Sequence, residues 1–459
     1  MHYVDQLIMG LYLATILFVG LWSGRGLKTL EDFSVAGRGF RSWVVFATLS
    51  ASFIGGGFTM GNAEKVYTIG FVNILALYGF SLKEILVATI IAPRMARFPR
   101  AMSVGGIIGE SYGKSAQVTS GIFGFLLCAG ILGAQVGAMG YVFNLFLGMD
   151  QIWGIIIGCG IAITYSTVGG MRAVVFTDIL QFGILAIGIP LALFMGVDKA
   201  GGWSAMLHAV PAERLNPLGG MGLMAFGSLF LTFLLGETLV PPYVQRLMIG
   251  RTSRQTARGT LWSGLFSFPF FAITGCIGLL ALAMNPGLDP NLALPYVIQE
   301  ALPIGLKGLV VAGIISVVMS SADSFLNGAA VSLVSDMILP LRKKSLGDRK
   351  TLLIAQGVNL LTGITAVIFA VKIKSILGIL MFAYNFWAPV ILPPLVAAFF
   401  GVKARGSVFM SAAIAGIAST WAWNTWVAQS SGVDGLIVGV MANAVVFFIC
   451  LKTMGEPKE

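Results

Sequence analysis

Charged side chains are scarce in this chain: Asp, Glu, Lys and Arg make up 10% of its 459 residues, against about 25% in an ordinary soluble domain. That shortage argues against a soluble globular protein. Histidine occurs twice, as His2 and His208, with no Cys or carboxylate nearby at metal-ligand spacing, so neither a zinc site nor histidine catalysis is expected. The four cysteines, Cys128, Cys159, Cys276 and Cys450, all fall in apolar stretches. They read as buried thiols rather than an exported disulfide framework or a CxxC metal site. No P-loop is present to bind ATP. Linkers and low-complexity tracts are missing too, and the longest polar loops span only 198–220 and 285–303.

Apolar residues are abundant, at 57% of the chain, together with 59 glycines. Thirteen apolar stretches are each long enough to cross a hydrocarbon core of roughly 30 Å as a helix. They run approximately 3–23, 42–62, 68–93, 117–147, 151–168, 174–197, 221–245, 259–284, 305–338, 351–371, 375–400, 407–428 and 434–452. The predicted fold class is therefore an all-α polytopic membrane protein forming one integral membrane domain. Asp5 precedes the first apolar run and Arg25 and Lys28 follow it, the reverse of a cleaved signal peptide, so the first span is expected to be retained.

The net charge of +10 could indicate nucleic-acid binding, but its distribution follows topology instead. With the N-terminus outside, 22 of the 29 basic residues fall on the cytoplasmic side, among them Arg94, Arg97, Arg100, Arg246, Arg251, Arg342 and Lys343. The positive-inside rule then predicts an external N-terminus and a cytoplasmic C-terminus, in agreement with an odd number of spans.

Two spans carry interruptions. The second contains Ala51-Ser52-Phe53-Ile54 followed by Gly55, Gly56 and Gly57, and each glycine weakens a helix by about 1 kcal/mol relative to alanine. The seventh contains Pro241-Pro242, which removes two backbone donors and strains the preceding turn. Interrupted helices at matching positions mark inverted-repeat transporters, whose freed backbone carbonyls line a binding cavity. The expected architecture is one helix (3–23), a five-helix unit (42–197), a second five-helix unit (221–400) and two C-terminal helices (407–452). Glycines that only allow close helix packing, and prolines that only end a span, are the plainer alternative.

In the ninth span, Val317, Ser320 and Ser321 stand at i, i+3 and i+4 on one helix face. That face can offer a carbonyl and two hydroxyls, and the carbonyls of Ala51 and Ile54 could complete a five-oxygen cage for a hard monovalent cation. Membrane serines more often bond a carbonyl four residues back, and only the facing broken helix points beyond that role.

These residues carry a resemblance. Ala51-Ser52-Phe53-Ile54-Gly55, Gly169-Gly170-Met171-Arg172-Ala173-Val174 with Thr177-Asp178 and Gln181, and Met319-Ser320-Ser321-Ala322-Asp323-Ser324 together resemble the sodium:solute symporter family. Its members include proline, sugar and sialic acid symporters with a LeuT-type fold built on a 5+5 inverted repeat. The resemblance implies that Ala51, Ile54, Val317, Ser320 and Ser321 bind sodium as the coupling ion. It also implies that Asp178 serves a second sodium or the coupling, with pairing to Arg172 near the interface as the alternative.

For the solute, Gln135 and Glu237 are candidate contacts, Glu237 being equally able to bond a neighbouring helix. Tyr384, Asn385 and Trp387 stand where LeuT-type transporters place an outer gate, with an interface or packing role for the aromatics as the alternative. Glu84 lies mid-span beside Lys83, where the two could form an ion pair near one membrane face. The tryptophan-asparagine-glutamine pattern of many sugar-transporting relatives is absent from 236–246, which disfavours a sugar, and a glutamine at 135 cannot pair a carboxylate as an arginine would.

The leading expectation is sodium-coupled import of a small polar organic solute by alternating access, without enzymatic activity. No organic cofactor or nucleic-acid partner is expected. The chain would reside in the lipid bilayer as a multi-pass protein of a cell membrane, bacterial in the simplest case, with a monomer as the simplest working unit. Two alternatives are a transporter-like sensor, which the short tail 452–459 would oblige to act through a separate partner chain, and a sodium-independent permease of related fold.

Overall fold

The structure is a computed structural model that describes residues 1–454 except 55, 345 and 373–375; the side chains of 56, 371–372 and 376–384 are likewise outside the described residues. The principal helices are α1 (Tyr3–Ser23), α2 (Ser42–Phe53), α3 (Gly56–Ile69), α4 (Val72–Leu86), α5 (Lys114–Leu147), α6 (Gln151–Lys199) and α7 (Leu223–Leu235). After these come α8 (Pro241–Met248), α9 (Ser253–Met284), α10 (Leu306–Val331), α11 (Asp348–Lys372), α12 (Ile376–Phe399), α13 (Gly406–Trp426) and α14 (Gly435–Met454). Among the described residues, eight helices are long and apolar enough to cross a membrane, or nine if the bent pair α2 and α3 counts as one span. Each of the thirteen apolar stretches is largely helical, and the two read as 151–168 and 174–197 run on as α6.

That helix is interrupted at Gly170, whose φ of 51° and ψ of −147° lie in a region open essentially to glycine. The reason is steric as well: a Cβ there would stand 2.6 Å from the Phe33 ring and from the Phe33 carbonyl. The break lets α6 turn past the short helix Leu30–Val35 and still present Asp178 to the interior.

Both anticipated interruptions are present. Helices α2 and α3 meet at 48°. Helix α7 ends at Leu235 and α8 begins at Pro241, with both prolines at the first helical positions, where a missing N–H costs nothing. Between them Leu239 adopts a φ of 55°, an outlier for a bulky residue and a sign that the surroundings impose the break.

The centre of the molecule is α10, 94% of whose most apolar window is buried, whereas the corresponding figure for α1 is 33%. It lies against α5, α6 and α1. Asp5 of α1 accepts hydrogen bonds from the amides of Gly305 and Gly308 at 2.7 and 2.9 Å, capping the start of α10 from outside its own helix. Tyr12 bonds Ser316 further along the same contact.

One position departs from expectation: Arg246, assigned to a cytoplasmic basic cluster, is fully buried, because α8 carries it inward one turn after Pro242. Lys83 and Glu84 form the anticipated ion pair at 2.7 Å, and both are fully buried within the protein. Of the cysteines, Cys128 and Cys159 are buried, Cys276 and Cys450 half-buried, and all four are free thiols.

Replacing Gly170 with alanine is expected to lower the thermal denaturation midpoint in detergent, since strained backbone of this kind costs about 1–3 kcal/mol. Gly160→Ala, where a Cβ meets nothing within 4 Å, should leave the midpoint unchanged or raise it. Equal behaviour of the two variants would contradict the steric account.

Candidate functional site

The first helix break and the serine face of α10 meet at Ser52. Its carbonyl accepts a hydrogen bond from the Ser321 hydroxyl at 3.1 Å, and its own hydroxyl lies 2.9 Å from that of Ser320 and 3.1 Å from that of Ser324. Ala51, Ile54 and Val317 are all buried around this contact. The chain bends here because the three glycines oppose helix continuation, and the Ile54 carbonyl, past the last turn of α2, accepts from the Thr59 hydroxyl at 2.6 Å. The Ser320 and Ser321 hydroxyls thus meet Ser52 at the end of a helix whose last carbonyls need partners.

Asp178 belongs to the same cluster. Its Oδ1 accepts from Ser320 at 2.6 Å, and its Oδ2 accepts from Ser52 at 3.2 Å and from Thr48. The charge partner is Arg246, at 2.9 Å with both side chains fully buried, and not Arg172. Arg246 uses its whole donor fork: Nε to Thr48 at 3.0 Å, Nη1 to the Pro242 carbonyl at 3.2 Å, and Nη2 to Ser52 and Ser324 at 2.6 Å each as well as to Asp178. One guanidinium thereby joins α2, α6, α8 and α10. Asp323, a second buried carboxylate one residue before Ser324, accepts from the Tyr165 phenol.

A cavity of about 350 Å³ lies directly against this cluster, with Ser52, Phe53 and Ser321 among its lining residues. This size suits a small solute. Gln135 and Glu237 both line it, as do Asn62 and Asn73. The two asparagines are engaged internally: Asn73 donates to Asn62 at 2.9 Å, and Asn62 donates to the Phe271 carbonyl and to Thr274. Among the described residues Gln135 makes no hydrogen bond, so its amide is available to a bound molecule. Lys65, in the C-terminal half of α3, is exposed and also lines the cavity.

Trp387 is placed elsewhere. It is buried, and its indole N–H donates to the Thr238 carbonyl at 3.2 Å, one of the groups released by the second helix break. The side chain of Tyr384 lies outside the described residues. Sequence reasoning missed Thr48, Ser52, Ser324 and Arg246 as members of the cluster. Ser52 and Ser324 stand inside the quoted motifs, and Thr48 is one turn before Ser52, so helical spacing could have found them; Arg246 offered only a charge at a span's end, which reads as a loop residue.

An all-helical membrane protein with two interrupted helices around a central cavity and a buried oxygen cluster is a transporter in its architecture. The comparisons supply the family. A family model described as the sodium:solute symporter family matches residues 33–416, and this chain belongs to that family. It is a multi-pass membrane transporter that couples solute movement to sodium, and not an enzyme.

Similar proteins include the sodium/iodide cotransporter of Homo sapiens, 28% identical over 92% of this chain and 69% of its own length. The high-affinity proline transporter PutP of Bacillus subtilis is 23% identical over 95% of this chain and 96% of its own. Among solved structures, a sodium-coupled sialic acid symporter in a substrate-bound outward-open state shares the fold with a TM-score of 0.89 at 20% identity, covering 100% of this chain and 99% of that one.

Removing one member of the buried pair leaves an uncompensated charge, at a typical cost of about 3–5 kcal/mol. Arg246→Met and Asp178→Asn are each expected to lower the denaturation midpoint sharply, whereas the double variant should recover much of the loss. Additive losses in the double variant would show that the two groups act independently.

Proposed function

We propose that this protein imports a small polar organic solute together with sodium by alternating access. In this reading sodium is held by the carbonyls of Ala51, Ile54 and Val317 and the hydroxyls of Ser320 and Ser321. The observation that carries it is that Ser52 and Ser321, which touch each other at the helix break, both line the solute cavity. An ion bound across that contact would hold α2 against α10 and fix the cavity floor, lowering the cost of ordering it around a solute. This is a coupling free energy, so solute must tighten sodium binding by the same factor.

Solute recognition falls to Gln135, whose amide is uncommitted, and to Glu237 on the opposite side of the break. The relatives named above carry solutes as different as iodide and proline, so the substrate class rests on the cavity: neutral hydrogen-bonding groups over apolar walls favour a small polar molecule over a strongly acidic one. A second sodium ion beside Asp178 is part of this reading, because a carboxylate buried inside a membrane protein is a functional position by default.

Two five-helix units, 42–197 and 221–400, follow from the matched breaks, with α1 before them and α13 and α14 after. An external N-terminus and cytoplasmic C-terminus fit the remaining exposed basic residues; in this reading the protein is further taken as a monomer in a bacterial plasma membrane.

Uptake into proteoliposomes from a panel of amino acids, polyols, sugars, monocarboxylates and iodide, with and without an inward sodium gradient, tests the reading. Accumulation is expected only with sodium outside, and a proton gradient should not replace it. Ser320→Ala and Ser321→Ala are each expected to raise the sodium concentration for half-maximal uptake by about tenfold, equivalent to roughly 1.4 kcal/mol. Unchanged sodium dependence in both variants would remove the site. Gln135→Ala should raise the solute KM and leave the sodium requirement in place.

A further inference from the structure

The buried pair of Lys83 and Glu84 takes no part in the sodium cluster or in the cavity lining, yet it sits directly beneath the cavity. On α4, Asn73 and Leu77 line the cavity. Phe80 and Glu84 follow on the same face, at i+7 and i+11 from Asn73. The cavity floor is a layer of rings: Phe53 lies edge-on to Tyr243 with centroids 5.0 Å apart, and Phe58 lies 4.9 Å from Phe80. The Lys83 ammonium is held under that layer, 3.6 Å from the Phe80 centroid and 4.5 Å from that of Tyr243.

The polar atoms of this cluster are poorly provided for. Lys83 Nζ and the Glu84 carboxylate are buried with little beyond the 2.7 Å ion contact and the neighbouring Tyr243 hydroxyl to satisfy them. Buried charge in this condition is costly, and the faces of the surrounding rings compensate the ammonium only in part. The cluster also bridges the two interrupted helices, because Phe53 ends α2 and Tyr243 lies in the first turn of α8. Helix α9 closes its far side: a Cβ on Gly264 would stand 2.9 Å from that of Glu84.

We propose that Lys83, Glu84 and Tyr243 form the cytoplasmic gate of the solute cavity, dry and ion-paired while the cavity opens outward, and separated into water when it opens inward. Hydration supplies the hydrogen bonds that the closed state withholds, so the pair favours opening, while the Phe53 and Tyr243 contact opposes it. Such a balance makes a two-state element that sodium at the neighbouring break can bias. The proposal rests on the external N-terminus and sodium-coupled import set out above.

The test uses full-length protein with its four cysteines replaced and a single Gly61→Cys reporter, at a half-exposed cavity-lining position with room for a side chain, in right-side-out and inside-out vesicles treated with a membrane-impermeant thiol reagent. In the parent, labelling is expected from outside in sodium and from the cytoplasmic side in potassium. Absence of that switch would overturn the sodium-coupled import reading itself, and with it the gate. Where the switch is present, Lys83→Met should speed cytoplasmic labelling in sodium at least tenfold, because an unpaired Glu84 seeks water.

The double variant Lys83→Met with Glu84→Gln should close dry, slowing cytoplasmic labelling in potassium below the parent with the sodium requirement for external labelling unchanged. Parent-like labelling of the double variant, or the same leak in single and double variants, would overturn the gate alone. Should Lys83→Met fail to fold, the double variant still decides.

Discussion

The arrangement around Arg246 is the interaction on which most of this molecule depends. A guanidinium cannot shed its charge, and inside a membrane protein it must be neutralised and fully hydrogen-bonded or it will not stay buried. Asp178 provides the neutralising charge, and Thr48, Ser52, Ser324 and the Pro242 carbonyl take the other donors. Because those partners come from α2, α6, α8 and α10, satisfying one side chain fixes how four helices meet. The prolines that begin α8 are part of the same solution, since they break the helix where Arg246 can be turned inward and leave a carbonyl for it.

The serine contact and the cavity follow from that junction. With α2 and α10 held together below the break, Ser52 and Ser321 meet at its edge and form part of the cavity wall. A transporter needs the two binding events to share structure, because coupling arises only where one ligand changes the cost of ordering the other's site. In the proposed reading the shared structure is two adjoining serines and the bend of one helix. The aromatic floor of Phe53, Phe58, Phe80 and Tyr243 separates this region from the buried Lys83 and Glu84, so apolar surface faces the cavity while charge is kept just beneath it.

Much of this architecture is legible in the amino-acid sequence. Apolar run length marks helices in a bilayer with little ambiguity, since a spanning backbone has almost no other way to satisfy its polar groups. The two breaks are readable because glycine and proline act locally, through backbone freedom and a missing donor. The serine face is readable because helical spacing is periodic. Arg246 escapes such reading for the converse reason: a basic residue at the end of an apolar run ordinarily faces the cytoplasm, and nothing local shows that its partner lies 68 positions away. The pairing of Lys83 with Glu84 is legible, since the two are neighbours in the chain, but their burial is not; nor does any local pattern show that Trp387 donates to the freed carbonyl of Thr238.

By itself, then, the sequence determined the chemistry present: helices spanning a bilayer, two interruptions, a hydroxyl face suited to a small hard cation, and no apparatus for catalysis. These are properties of neighbours within a turn or two, which composition and periodicity encode directly. Only the tertiary structure decided which charges are buried and with whom, that Asp178 joins the serine cluster through Ser320 and Arg246, and that Ser52 and Ser321 of that cluster line the cavity. Those outcomes depend on contacts between residues far apart in sequence, where desolvation makes every unpaired group costly and a partner must be brought by the fold.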